Sequence, residues 1–62
     1  MTYIVVDTFK FPGGRSRKRR EFDWFHEALA AFEAPLTLSN QYRELIRLGD
    51  DWAILDRKGM DL

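Results

Sequence analysis

A chain of 62 residues without one cysteine cannot staple itself with disulfides or hold a metal through thiolates. A domain of this size buries only about 60% of the surface that its unfolded form exposes. Its stability has to come from one small apolar core, or from a second body that covers what the core leaves out. The hydrophobic content of 45% is enough to fold and argues against disorder. Nine aromatics, five Phe, two Trp and two Tyr, exceed what a minimal core requires. Self-association or docking onto a larger partner is therefore expected to use some of them. The expectation is a single domain over 1–62 with 58–62 as a frayed tail. Tyr3 to Val6 is too short for a signal h-region, and nothing approaches the roughly 20 apolar residues of a membrane span, so a cytoplasmic, membrane-free protein is expected.

The order of elements follows from periodicity. Residues 2–11, TYIVVDTFKF, are rich in β-branched and aromatic side chains and read as a strand with Tyr3, Val5, Asp7, Phe9 and Phe11 on one face. Pro12-Gly13-Gly14 signals a turn. A two-residue loop at Gly13-Gly14 predicts that Val5 faces Phe22, Asp7 faces Arg20 and Phe9 faces Lys18. Residues 15 to 21 hold no apolar side chain, so this return segment is a charge-guarded edge strand or a loop. DWFHEALAAFEAP is the clearest element. Asp23 is the expected N-cap, Phe25, Ala28, Leu29 and Phe32 form one apolar stripe, and Pro35 stops a helix of about 10–12 residues.

Residues 42–59 allow two readings. Tyr42, Leu45, Ile46 and Gly49 are spaced for a helix, whereas a turn at Leu48 to Asp51 makes a hairpin. The hairpin is preferred, because two lone strands would make too small a sheet. A Gly49-Asp50 loop pairs Leu45 with Ile54, Ile46 with Ala53 and Arg43 with Asp56; a three-residue loop pairs Leu48 with Trp52 and Ile46 with Ile54. The fold class expected is α+β, a small antiparallel sheet with one amphipathic helix packed on one face, in the order β-β-α-β-β.

The net charge is zero but unevenly spread. Residues 1–20 carry six cations against Asp7, hence +5, and residues 21–62 carry four cations against nine acids, hence −5. Arg15, Arg17, Lys18, Arg19 and Arg20 concentrate the positive end. Such a run contacts phosphate, meets an acidic protein surface, or only guards an edge strand. No aromatic interleaves residues 12–21, and no helix-turn-helix, zinc-finger or RNP-type pattern is present. Trp24 and Trp52 read as core residues, with exposed interface anchors as the alternative.

Catalysis needs a nucleophile, an acid or base and a charge stabiliser that converge. His26 is the only histidine, and its neighbour Glu27 cannot face it on a helix. Ser16 and Ser39 have no histidine near in sequence, and the turn lacks a phosphate-loop context. No catalytic residue, metal site or cofactor is expected.

The element order resembles that of small phage- or mobile-element-encoded inhibitors, among them anti-CRISPR proteins of type I systems. The likeness lies in YIVV, the charged return RKRREF, the helix DWFHEALAAF and the hairpin RELIRLGDDWAILD. It covers most of the chain and rests on order and size, so it carries over no site residue. It implies a protein that acts stoichiometrically by covering a surface of a larger, nucleic-acid-handling complex. The expectation is thus a non-enzymatic binding module that meets a protein partner through Arg15, Arg17, Lys18, Arg19, Arg20 and Trp24. Direct, sequence-independent nucleic-acid binding through 15–20 is the alternative, and a structural homodimer the second.

Overall fold

In the computed structural model, which describes residues 1–59, the strand β1 (Thr2–Phe11) runs through the middle of the sheet. Its place follows from its side chains, because Ile4 and Thr8 are buried on one face and Val5 and Asp7 on the other. Only a strand flanked on both sides hides residues of both parities. The edge strand β2 (Gly14–Phe22) pairs antiparallel with it. The helix α1 (Phe25–Glu33) follows, then β3 (Gln41–Leu48) on the other side of β1, and β4 (Trp52–Gly59) at the far edge. The sheet order is β2-β1-β3-β4. Because β2 and β3 both run antiparallel to β1, they are parallel to each other, and the connection between them must cross the sheet. That requirement places α1 over one face. Residues 15–21 and 40–48 are therefore settled, the former within a strand and the latter mostly in β3 rather than in a helix. No helix among the described residues is long and apolar enough to cross a membrane.

The core lies between α1 and the central strands. Val5, Ala28, Phe32 and Leu45 are buried together, with Tyr3, Phe22, Leu29 and Ala31 packed against them. Full burial of a side chain such as Phe32 contributes about 1.5–3 kcal/mol. Tyr3 also meets Phe25 edge to face, 5.4 Å between ring centroids.

Several expectations are corrected. The β1–β2 loop is Pro12-Gly13, not Gly13-Gly14, so Tyr3 faces Phe22, Val5 faces Arg20 and Asp7 faces Lys18. The expected loop would have set Pro12 opposite Arg15, where the ladder needs an N–H that proline lacks. The shift is by two positions, so every side chain keeps its face. Near its turn the second hairpin has the three-residue register, Leu48 with Trp52 and Ile46 with Ile54. A bulge at Leu45/Ile46 then leaves Leu55 unpaired and sets Arg43 opposite Lys58 instead of Asp56. The N-cap position is Trp24, without a side-chain cap, and Asp23 stands one residue outside. Pointing Ala28 and Phe32 into the core outweighs a cap worth about 1 kcal/mol. Both tryptophans are exposed, Trp24 by 64% and Trp52 by 60%, so neither belongs to the core. Lys58 and Gly59 belong to β4 and not to a frayed tail; residues 60–62 lie outside the described residues.

One buried polar junction joins the helix to the sheet. Arg43 donates through Nε to Asp7 Oδ1, and its Nη1 donates to the carbonyls of Ala31 (3.0 Å), Phe32 (3.2 Å) and Ala34 (2.6 Å). Those carbonyls belong to the last turn of α1, whose own sequence supplies no cation. Gln41 donates to the same Asp7 oxygen at 2.8 Å and accepts from the backbone N–H groups of Thr37 and Leu38. Arg20 closes the other Asp7 oxygen at 3.2 Å. Lys58 adds a second cation at the helix end, donating to Ala34 O at 2.9 Å with its Nζ 5.4 Å from the Phe32 ring centre.

Removing one partner leaves a buried charge uncompensated, so Arg43→Met is expected to cost about 3–5 kcal/mol, read from urea unfolding. Burial pushes the Asp7 carboxyl up, but the hydrogen bonds from Arg43 and Gln41 and the charges of Arg43 and Arg20 outweigh it and hold it below its ordinary value of 3.8. A carboxylate held low in the folded state adds stability above its unfolded pKa, and that stability drains as pH falls through and below it. The urea midpoint should drop on going from pH 6 to below about pH 4, and Asp7→Asn, less stable at pH 6, should lose much of that dependence. Gly59 (φ +122°) sits where an added Cβ would lie 2.6 Å from Gln41 O and Tyr42 Cα, both backbone atoms that cannot swing aside. Gly59→Ala should therefore destabilise by at least about 1–3 kcal/mol in the same assay.

Candidate functional site

One helix covers one face of the sheet, and the other face carries its own pattern. Strand alternation puts Ile4, Val6, Thr8 and Lys10 of β1 on this open side, with Tyr42, Glu44, Ile46 and Leu48 of β3 beside them. β2 contributes Arg15, Arg17, Arg19 and Glu21, and β4 contributes Trp52, Ile54 and Arg57. Ile4, Val6, Ile46, Leu48, Trp52 and Arg19 line an open groove of about 200 Å³. Its floor is aliphatic, its outer wall is the exposed Trp52, and its inner wall is an arginine stem.

Charge on this face is cationic and polarised along the strands. Five cations, Lys10, Arg15, Arg17, Arg19 and Arg57, stand against two carboxylates. Both carboxylates are already engaged, Glu21 by Arg19 at 3.8 Å and Glu44 by Arg57 at 3.5 Å. Among the described residues Lys10, Arg15 and Arg17 make no salt bridge. These three lie toward the β1–β2 turn, whereas Leu48, Trp52, Ile4 and Ile46 lie toward the other end. Tyr42 stands level with Arg17 in the basic zone, with the Lys10 Nζ 5.6 Å from its ring centre, and Val6 and Glu44 lie between the two zones. The Tyr42 phenol is drawn below its usual range by the Thr8 hydroxyl and, more weakly, by Arg17, against the opposing pull of burial and Glu44. Thr8 Oγ1 is buried and makes no hydrogen bond of proper geometry among the described residues. Its influence on Tyr42 is therefore that of a nearby dipole.

The structure divides the basic run. Arg15, Arg17 and Arg19 share the open face; Lys18 and Arg20 point to the helix side, where Arg20 is tied to the nearly buried Asp7. Trp24 precedes α1 and is exposed, but it is apart from the groove. The six residues expected to form one partner surface thus fall on two sides of an edge strand. Of the groove residues, the sequence points to Arg19 and, as an alternative to the core, to Trp52, but not to Ile4, Val6, Ile46 or Leu48, although a signal for these exists. Residues 3–6 and 45–48 are apolar, or apolar-rich, at both parities, and a chain with one helix cannot cover both faces they define.

His26, the one histidine, is exposed on α1. Among the described residues no group of three or more His, Asp or Glu side chains could hold a metal ion. What the arrangement offers chemically is an apolar trough beside three cations, Lys10, Arg15 and Arg17, that make no salt bridge among the described residues. Compared with known proteins, the chain matches no family model, and no curated protein and no solved structure matches it.

Proposed function

We propose that the protein is a non-enzymatic binding module that meets a protein partner through the open face of its sheet and acts by stoichiometric occupation of that partner's surface. The observation that carries this reading is the groove of Ile4, Val6, Ile46, Leu48 and Trp52 beside Arg15, Arg17 and Arg19. Apolar area with an exposed Trp and arginines at its rim is the composition of an interface core, where Trp and Arg carry much of the energy. The cations steer an acidic partner toward the face, and the groove holds it. Occupying such a surface is enough to exclude whatever else the partner binds there, as an inhibitor does.

The arginine row also favours a second reading, contact with phosphates. A sequence-tolerant nucleic-acid platform, however, stacks bases on exposed aromatic rings. Here Tyr42 is buried, the floor is aliphatic, and only Trp52 offers a ring.

The test replaces Leu48, in the groove, or Glu33, on the helix side, with the photo-crosslinking residue p-benzoylphenylalanine, in lysate of the cell that makes the protein. A one-to-one protein adduct is expected from position 48, little from position 33, and at least a tenfold loss of adduct when Arg17→Glu and Arg19→Glu are added. Adducts from position 33 alone would overturn the reading. So would tight binding of labelled duplex DNA or single-stranded RNA that weakens steeply between about 50 and 200 mM salt.

A further inference from the structure

The open face is polarised, and its polarity defines what fits it. The apolar end has Ile4 and Val6 on β1 and Ile46 and Leu48 on β3 as floor. The walls, Arg19 on β2 and Trp52 on β4, stand at diagonal corners, four residues apart along the strands, and the trough between their strands is three strand spacings wide, about 14 Å. An α-helix with its side chains is about 10–12 Å across and fits that width. An extended chain laid on the same floor would leave backbone N–H and C=O groups facing aliphatic side chains without partners. A helix satisfies its own. Strand addition along β2 is blocked by the cations of that edge.

Length adds a second constraint. Lys10 and Arg15 face each other across β1 and β2, and they lie four residues beyond Val6 along β1, about 13 Å. Over that distance a helix advances about nine residues. Lys10, Arg15 and Arg17 have no carboxylate partner among the described residues, so they are available to one that arrives with the ligand. The same excess of positive charge opposes a second copy docking face to face, since like charges would meet across the interface.

We infer that the occupant of the open face is an amphipathic helix of a partner protein, with apolar anchors in the trough at one end and carboxylates on Lys10 and Arg15 two to three turns beyond Val6, Arg17 lying between them and the trough. This rests on the reading of the open face as the docking surface and names the partner's chemistry.

The experiment uses the whole protein with labelled methyl groups and a 20-residue helical peptide that carries three leucines on one face at one end and three glutamates about nine residues further along. Methyl shifts are expected at Ile4, Val6, Ile46 and Leu48, together with a shift of the Trp52 indole. Affinity should fall at least tenfold when the glutamates become glutamines, when proline is placed mid-peptide, or when the protein carries Arg15→Gln and Arg17→Gln. A peptide with the glutamates moved beside the leucines should also bind at least tenfold more weakly. Equal binding of the proline peptide would overturn the inference in favour of an extended occupant, and equal binding of the rearranged peptide would remove the polarity. Shifts confined to α1, or no shift with any peptide at millimolar concentration, would also overturn it. Another overturning result is concentration-dependent self-association, seen by sedimentation without peptide and abolished by Leu48→Asp in the groove, because it makes a second copy the occupant. The crosslinks from position 48 use no peptide, so they decide the reading of the face separately from the nature of its occupant.

Discussion

The buried pair of Asp7 and Arg43 is the constraint on which the rest of the architecture depends. Taken as a pair it is costly, since removing two charges from water is repaid only when the geometry is good and the remaining donors are satisfied. Here they are. Arg43 Nε meets the carboxylate, and its Nη1 is spent on three carbonyls at the end of α1. One side chain thus neutralises Asp7, supplies the helix with the cation its own last turn lacks, and fixes where that turn lies over the sheet. Gln41 extends the network to the loop before β3 through Thr37 and Leu38. The apolar core of Val5, Ala28, Phe32 and Leu45 decides which face the helix turns to the sheet. An ionic junction with several fixed partners adds direction that hydrophobic contact does not have.

A helix held over one face leaves the other without cover, and this follows from the element count. Ile4, Thr8, Tyr42 and Ile46 on that side are still nearly buried, and Arg19 lines the groove beside Ile4 and Ile46 while Arg17 lies near Tyr42. The arginines of β2 therefore have two roles. They guard an edge strand that would otherwise pair with another chain, and they keep apolar surface out of water in the free protein. A partner that lifts those side chains gains the groove beneath them. The face can be an interface without making the free protein adhesive, because the apolar area is partly hidden and the surrounding charge repels copies of itself.

Much of this was legible in the sequence, and the parts that were not share a cause. The first strand and the end of the helix before Pro35 follow from local signals, namely alternation, the 3.6-residue stripe and proline sterics, whereas the strand identity of 41–48 follows from the size a sheet needs, because its local spacing fits a helix as well. The register of the first hairpin went wrong because Gly13-Gly14 is the stronger turn pair by composition, whereas the deciding fact was the missing N–H of Pro12. The alternation of Arg15, Arg17 and Arg19 was visible; which face they join was not, because that depends on the side the crossover helix takes. Hairpin register as read from the sequence sets Asp7 opposite Arg20 and, with one of the two loops, Arg43 opposite Asp56; the Asp7–Arg20 ion pair does form, at 3.2 Å. The arrangement of Asp7 and Arg43 joins positions 36 apart through a helix end, and no local pattern encodes that. Trp24 and Trp52 read as core because small α+β domains often anchor on a Trp, with exposed anchors as the alternative, but the small core is filled by Val5, Ala28, Phe32 and Leu45.

Zero net charge is compatible with a strongly directional electrostatic role once the fold is known. The alternation of β2 sends every second cation of the run to each side, and the helix side consumes Arg20 on Asp7 while Lys58 caps α1. Glu27 and Glu33 of α1 stand on that same side, away from the arginine row. What remains on the open face is five cations against two carboxylates that are already paired, so the field there is positive although the chain is neutral. Within a screening length of about 8–10 Å it is this local imbalance that an approaching partner meets, and not the sum over the molecule. Neutrality of the whole chain therefore does not make the open face neutral, and the alternation of one edge strand is enough to separate the two.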